Sequence, residues 1–209
     1  MVERVVLVGD VVTLRPMVVD DVDALLAAAS EDRASYAFTP VPDDEHEMRA
    51  YVESVLEDER AGWALPFVTT RTDGGRVVGS TRFLDLDDWD ARRVGGPPSA
   101  ARGTPRVAEI GATWLAASAQ RTAVNTEAKL LMLRHAFDTW GVERITFKTD
   151  ARNSTSRAAI ERLGAHFEGI RRAHVPASDG GIRDSAYYSI VRAEWPLVQQ
   201  GLEARLARR

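Results

Sequence analysis

Between Arg106 and Trp140 the chain passes from one kind of periodicity to another across a short polar interval, and few folds accommodate that. Val107, Ile110, Ala112, Trp114 and Leu115 form a short apolar run with β-branched and aromatic members, which suits a strand buried on at least one face. Small and polar residues from Ala116 to Thr126 interrupt it. Leu130, Leu133, Phe137 and Trp140 then recur at i, i+3, i+7 and i+10 with Lys129, Arg134 and Asp138 between them, which predicts an amphipathic helix. A helix entered through a tight turn aims unpaired N–H groups, and the positive end of its dipole, at the space beside the strand end. Such a corner can hold an anion or a phosphate. Many strand-to-helix turns bind nothing, so a purely structural turn stays open on geometry alone.

The flanking sequence places this unit in a mixed α/β domain. Val11 to Met17 alternates as a strand and meets Pro16, so it lies at a sheet edge or ends there. Asp20 or Asp21 can cap a helix carrying Val22, Leu25, Leu26 and Ala29, and Pro42 with the acidic opening at Asp43 begins another, with Met48, Val52 and Val55 on one side and Gly62 as its stop. Tyr36 and Phe38 lie on the intervening loop, where they either line a pocket or plug the gap between helices. Leu65–Arg71 and Arg76–Leu84 read as a hairpin around T-D-G-G. From Asp85 to Pro105 breakers replace periodicity, and a mobile insertion is expected. After the organising helix, Gly141 is a stop and Arg144–Thr149 a strand, which makes a βαβ unit with parallel strands. A capped helix with Ala159, Ile160 and Leu163 follows, then a hairpin of 165–175 and 182–192 around S-D-G-G, ended by Glu194, Trp195 and Pro196, and a basic terminal helix from Val198. There is no internal repeat.

The 209 residues suffice for one domain with a proper core, and 44% hydrophobic with 28% charged residues is globular rather than disordered composition. A net charge of −4 gives no uniform basic field, so neither a nucleic acid nor a membrane surface is an expected partner. The absence of cysteine excludes disulfides, thiolate metal sites and cysteine nucleophiles. No signal peptide or 18-residue apolar run is read, and a cytoplasmic location is the expectation. His46, His135, His166 and His174 show no ligand spacing with carboxylates, so no metal is expected.

The order of elements, together with E-I-G-A-T-W-L (Glu109 to Leu115), Q-R-T-A-V-N (Gln120 to Asn125), N-S-T-S-R-A-A-I-E-R-L-G-A (Asn153 to Ala165) and R-D-S-A-Y-Y-S-I (Arg183 to Ile190), resembles the GNAT superfamily of N-acetyltransferases, on its RimJ/RimL-like, ribosomal-protein-alanine acetyltransferase side. The resemblance runs from about Val11 to Trp195. It implies a mostly antiparallel central sheet with one parallel splayed strand pair, flanked by helices. It implies acetyl-CoA as acyl donor, a homodimer, and direct transfer to a primary amine of a protein N-terminus or a small molecule.

Carried over, the pantetheine arm lies along the strand ending in Trp114 and Leu115, with the Leu115 N–H facing the thioester carbonyl. Gln120, Arg121, Thr122, Ala123, Val124 and Asn125 wrap the pyrophosphate, and Thr126 opens the helix. The family's Q/R-x-x-G-x-G/A turn has glycines where Ala123 and Asn125 stand; alanine resists φ > 0 and asparagine tolerates it. Arg121 either adds charge to the phosphates or is a solvated side chain. Glu109 looks like the carboxylate base of some relatives, and alternatively pairs structurally with an arginine. The usual tyrosine acid is replaced by Ile160, and the resemblance puts Ser156 in the proton-supplying slot with Asn153 as its cofactor-binding companion; otherwise Ser156 is a first-turn serine. His174 is a base, a substrate contact or a structural histidine, and of Tyr187 and Tyr188 at most one can face the cleft. Asp85, Asp87 and Asp88 either attract a cationic amine or form a solvated face. Other classes remain: a non-catalytic acyl-CoA-binding or regulatory module, and a CoA-independent interaction domain.

Overall fold

The computed structural model describes residues 2–89 and 103–208. Eight strands, β1 (Leu7–Val8), β2 (Val12–Pro16), β3 (Leu65–Arg71), β4 (Val77–Asp87), β5 (Val107–Leu115), β6 (Arg144–Asp150), β7 (His166–Pro176) and β8 (Ile182–Val191), form one sheet in the order β1-β2-β3-β4-β5-β6-β8-β7. Every neighbouring pair is antiparallel except β5 with β6. Helices α1 (Val22–Ala29) and α2 (Glu45–Arg60) cover one face over a cluster of Met17, Leu25, Met48, Val52, Val68 and Trp114. Helices α3 (Ala123–Arg134), α4 (Ser154–Glu161) and α5 (Trp195–Ala207) accompany the larger cluster built on Phe67, Phe83, Ile110, Met132, Ile145 and Tyr188. The mixed fold with one parallel pair is the expected architecture.

Turn chemistry sets the connections. Gly74 and Gly75 have φ of +78° and +66° between β3 and β4, a left-handed pair that the Asp-Gly-Gly sequence supplies without strain. Asp44 caps α2 by accepting from Glu47 N–H at 2.8 Å. Gly141, at φ +72°, closes the turn of π-helix His135–Trp140 that extends α3.

Several expectations are corrected. Pro16 ends β2, which bears out one of the two alternatives read for it, while β1 rather than β2 takes the sheet edge. Asp21 does not cap α1; its buried carboxylate accepts from Val18 N–H and Arg15 instead. Residues 85–87 belong to β4, where Asp85 adopts φ +48° at a bulge, and Arg106 N–H donates to the Asp87 carbonyl as β5 begins. The expected insertion therefore shrinks, and its part at 90–102 lies outside the described residues. Glu194, Trp195 and Pro196 lie beyond the end of β8 as expected, but α5 opens at Trp195 rather than Val198, since proline in the first turn sacrifices no helical hydrogen bond.

One buried carboxylate ties the sheet to α3. Glu127 accepts from the N–H groups of Asp10, Val11 and Val12 at 3.0, 2.7 and 2.7 Å, the donors left unpaired where β2 starts. Glu127→Ala strands the buried Val12 amide and leaves those of Asp10 and Val11 to solvent, at a cost of about 1–3 kcal/mol. The melting temperature should fall by about 5–10 °C in a chain of this size, read by calorimetry; an unshifted transition would mean that water replaces the carboxylate.

Candidate functional site

The parallel pairing of β5 with β6 lasts for three residues, Val107↔Arg144, Ala108↔Ile145 and Glu109↔Thr146. Beyond it β5 stays with β4 as far as Leu115↔Gly79, while β6 stays with β8 as far as Asp150↔Ser185. The two halves of the sheet therefore separate from Ile110 onward. Ala112 at φ +46° marks the bulge that turns β5 away. Ala116 N–H donates to the Val78 carbonyl of β4; because successive residues of an antiparallel strand point their polar groups to opposite sides, the Leu115 N–H points into the gap. The Leu115 carbonyl is already occupied by the Tyr36 hydroxyl at 3.0 Å and by Gln120 Nε2 at 2.9 Å. Tyr36 is buried and edge-on to Trp114, so it plugs the gap between helices. Phe38 is half-buried under the Arg152 guanidinium.

At the end of β5 the chain makes a short 3₁₀ turn, Ala117–Ala119, and enters α3. The helix starts at Ala123, earlier than the expected Thr126. Its cap is Thr122, whose hydroxyl donates to the Ala119 carbonyl at 2.6 Å and accepts from Val124 N–H at 3.3 Å. The N–H groups of Ala123 and Asn125 have no partner among the described residues. The left-handed residue of the corner is Arg121 at φ +58°, whereas Ala123 and Asn125 are helical, so neither has to satisfy the glycine-like geometry the sequence suggested. Arg121 is exposed. The corner is pinned from outside: Glu31 accepts from Ser118 N–H at 2.8 Å and Oγ at 3.1 Å, which holds its carboxyl below the usual range, and Gln120 Nε2 also donates to Ser35 Oγ at 3.0 Å. Gln120 thus spends its amide on the fold.

Glu109 is buried at 3% exposure where the two strands part. Its carboxylate lies 2.9 Å from Lys148 Nζ, and Asp85 reaches the same ammonium at 3.6 Å. The partner is a lysine of β6, not the expected arginine. Burial is the larger influence and pushes the Glu109 carboxyl up to about 7 against the pull of Lys148. Lys148, although burial works against its charge, is held above its ordinary value by Glu109 and Asp85. Nearby, Tyr187 faces Lys148 across β6 and β8, its hydroxyl 3.2 Å from His174 Nε2, while His174 Nδ1 lies 3.0 Å from Ser185 Oγ. Burial and the neighbouring Arg171, Lys148 and Arg183 charges lower the His174 pKa. Tyr188 points the other way, fully buried and bonded to Arg157 and Glu161.

Asn153 caps α4 by accepting from Ser156 N–H at 2.9 Å, and the Ser156 hydroxyl, partly exposed, has no hydrogen-bond partner among the described residues. Ile160 is buried in the core. Lys129, expected on the polar side of α3, is instead buried, because it points onto the sheet at β4 and β5. Its Nζ donates to Thr81 at 2.9 Å and Thr113 at 2.6 Å, and burial lowers its pKa to about 7. Among the described residues Asp43, Asp44 and Glu47 bring carboxylate oxygens within 4.8 Å of one another. All three are exposed at the start of α2, and Asp44 is engaged as its cap. No helix among the described residues is long and apolar enough to cross a membrane.

Residues 12–166 match the family model described as acetyltransferase (GNAT) domain. Among solved structures, a GCN5-related N-acetyltransferase from Brucella melitensis is 28% identical with a TM-score of 0.80, covering 97% of this chain and 85% of its own. RimJ of Mycobacterium smegmatis, in complex with a CoA disulfide, is 25% identical with a TM-score of 0.74 over 96% of this chain and 91% of its own. RimL, a ribosomal L7/L12 alpha-N-protein acetyltransferase in complex with coenzyme A, shares the fold at 18% identity, with a TM-score of 0.70 over 90% and 98% of the two chains. Comparison with curated protein sequences finds no match.

Proposed function

Because this chain belongs to the GNAT acetyltransferase family, we propose that it transfers the acetyl group of acetyl-CoA directly to a primary amine, of a protein N-terminus or a small molecule. The observation that carries this reading is the parting of β5 from β6 beside Glu109, with the open amides of the α3 start at its end. RimJ and RimL, solved with coenzyme A, support the donor. The residues that fit the cofactor are Ala123 and Asn125 N–H for the pyrophosphate, Arg121 and Thr122 beside them, and Trp114 and Leu115 for the pantetheine arm.

In the reaction the amine nitrogen attacks the thioester carbonyl carbon, the C–S bond breaks, and the amine loses a proton while the thiolate gains one. Glu109, ionised above about pH 7, takes the amine proton directly or through a water. Lys148 holds that carboxylate in place and favours its charged form. The Leu115 N–H opposes the oxyanion, and Ser156 supplies the thiolate proton. The outer edge of β7, which pairs with no strand among the described residues and exposes Phe167 and Ile170, supports a homodimer. A cytoplasmic, metal-independent enzyme completes the proposal.

Ile160, buried where many GNAT enzymes carry a tyrosine acid, favours a second reading in which the chain binds acyl-CoA without turnover. Isothermal titration with acetyl-CoA, followed by a thiol-release screen over amines and N-terminal peptides, separates them. Binding with release for at least one acceptor is the expected result. Binding without release across the panel would favour the second reading, and no binding would overturn both.

A further inference from the structure

Building on the acetyl-transfer reading, we infer that Arg82 makes this a site for acceptors bearing a carboxylate next to the amine, such as an α-amino acid or an acidic N-terminal peptide. Arg82 lies on β4 directly opposite Gly111, with Leu84 opposite Glu109. Residues two apart on a strand share a face, so Arg82, Leu84, Glu109 and Gly111 all point toward α1 and α2. Diagonal neighbours of this kind stand about 7–8 Å apart, within reach of a long side chain. Gly111 carries no side chain because the Glu109 carboxylate and Leu84 already lie where a Cβ would stand, so the Glu109 carboxylate sits directly over the backbone opposite Arg82.

The chemistry of that face is one-sided. Arg82 Nε and Nη1 are buried with no hydrogen-bond partner, and no carboxylate among the described residues pairs with the guanidinium. Its guanidinium carbon lies 5.8 Å from the centre of the Tyr51 ring, which offers a face but no acceptor. Trp114, opposite Ser80 on the same face, buries a second unpartnered donor at Nε1. Two desolvated donors without an acceptor cost the fold free energy, and a planar carboxylate is the group that satisfies a guanidinium through two parallel bonds. The carboxylates nearby, Glu109 and Asp85, are engaged with Lys148. An acceptor that brings its amine toward Glu109 and its anion toward Arg82 matches both signs.

The test uses the full chain and matched acceptors: amino acids against their α-amides, and peptides with Glu or Gln at the second position, which distinguish an α-carboxylate from a side-chain one. Wild-type kcat/KM should favour the carboxylate twin by about tenfold in at least one series. In Arg82→Met that preference should disappear while the melting temperature stays at or above wild type, because an unpartnered buried charge has been removed. Equal turnover of the twins by the wild type would overturn the inference, as would an Arg82→Met protein that melts lower and keeps the preference. A parallel titration of the CoA-loaded protein with N-acetylated amino acids and their amides reads the same discrimination without turnover. Absent thiol release would therefore count against acetyl transfer alone, while equal binding of the two products would count against the role of Arg82.

Discussion

Glu109→Gln lowers kcat by about 10²–10⁴-fold, the range expected for loss of a positioned general base, with the affinity for acetyl-CoA held within about twofold because no phosphate-binding amide is touched. The substitution preserves shape, and a glutamine carbonyl can still accept from Lys148, which otherwise keeps Asp85 at 3.6 Å. The discriminating measurement is the pH profile. Wild-type rate should rise as pH passes through about 7, where the Glu109 carboxyl loses its proton, and that limb should vanish in the variant. Stability supplies an independent check. A carboxyl whose folded pKa lies above its ordinary 4.5 binds more protons folded than unfolded, so its stabilising contribution is complete below about 4.5 and lost as pH rises through about 7. The wild type should therefore lose stability relative to Glu109→Gln across that window, and hold a constant difference above it. Full activity with an unaltered profile would leave Glu109 as a buried ion-pair partner and no more.

What the sequence announced and what it concealed divide along a physical line. Local chemistry was legible: Asp-Gly pairs placed both hairpins, Gly62 and Gly141 marked the ends of helices, and the run from β5 through α3 to β6 required a parallel pair. Long-range register was not. Nothing near Glu109 in sequence shows that Lys148 will face it, because that contact depends on Glu109 pairing with Thr146 in the parallel register. Lys129 read as a solvent-facing residue because nothing in the α3 pattern shows that Thr81 of β4 and Thr113 of β5 will stand beneath it to take its ammonium. Arg82 sat in an ordinary alternating strand, and only the sheet order sets it beside Gly111 with no anion to meet it. The glycine-like corner was sought two residues too late: it falls on Arg121, where the chain leaves its 3₁₀ turn, and this lets Ala123 and Asn125 be helical. Gln120, read as a ligand contact, turned out to brace the corner against Leu115 and Ser35.

That corner yields the second large expected effect. Ala123→Pro removes one N–H from the start of α3 and adds nothing polar. Position 123 is the first helical residue, where proline's fixed φ is already satisfied and no intrahelical bond is lost. Thr122 precedes it with φ −109° and ψ −175°, the extended conformation that a following proline demands, and its bond to the Ala119 carbonyl does not involve the lost amide. The fold should therefore persist, with a melting temperature within a few degrees of wild type, about the size of a 1 kcal/mol effect. A hydrogen bond to a charged phosphate is worth about 1.5–3 kcal/mol, so acetyl-CoA should bind about 10- to 100-fold more weakly by isothermal titration. An acyl-pantetheine sharpens the result: lacking the pyrophosphate, it should bind wild type and Ala123→Pro alike, since it loses no contact in the variant. If the variant instead binds acetyl-CoA at wild-type affinity, the diphosphate rests elsewhere, and the amides at the head of α3 serve only the turn they begin.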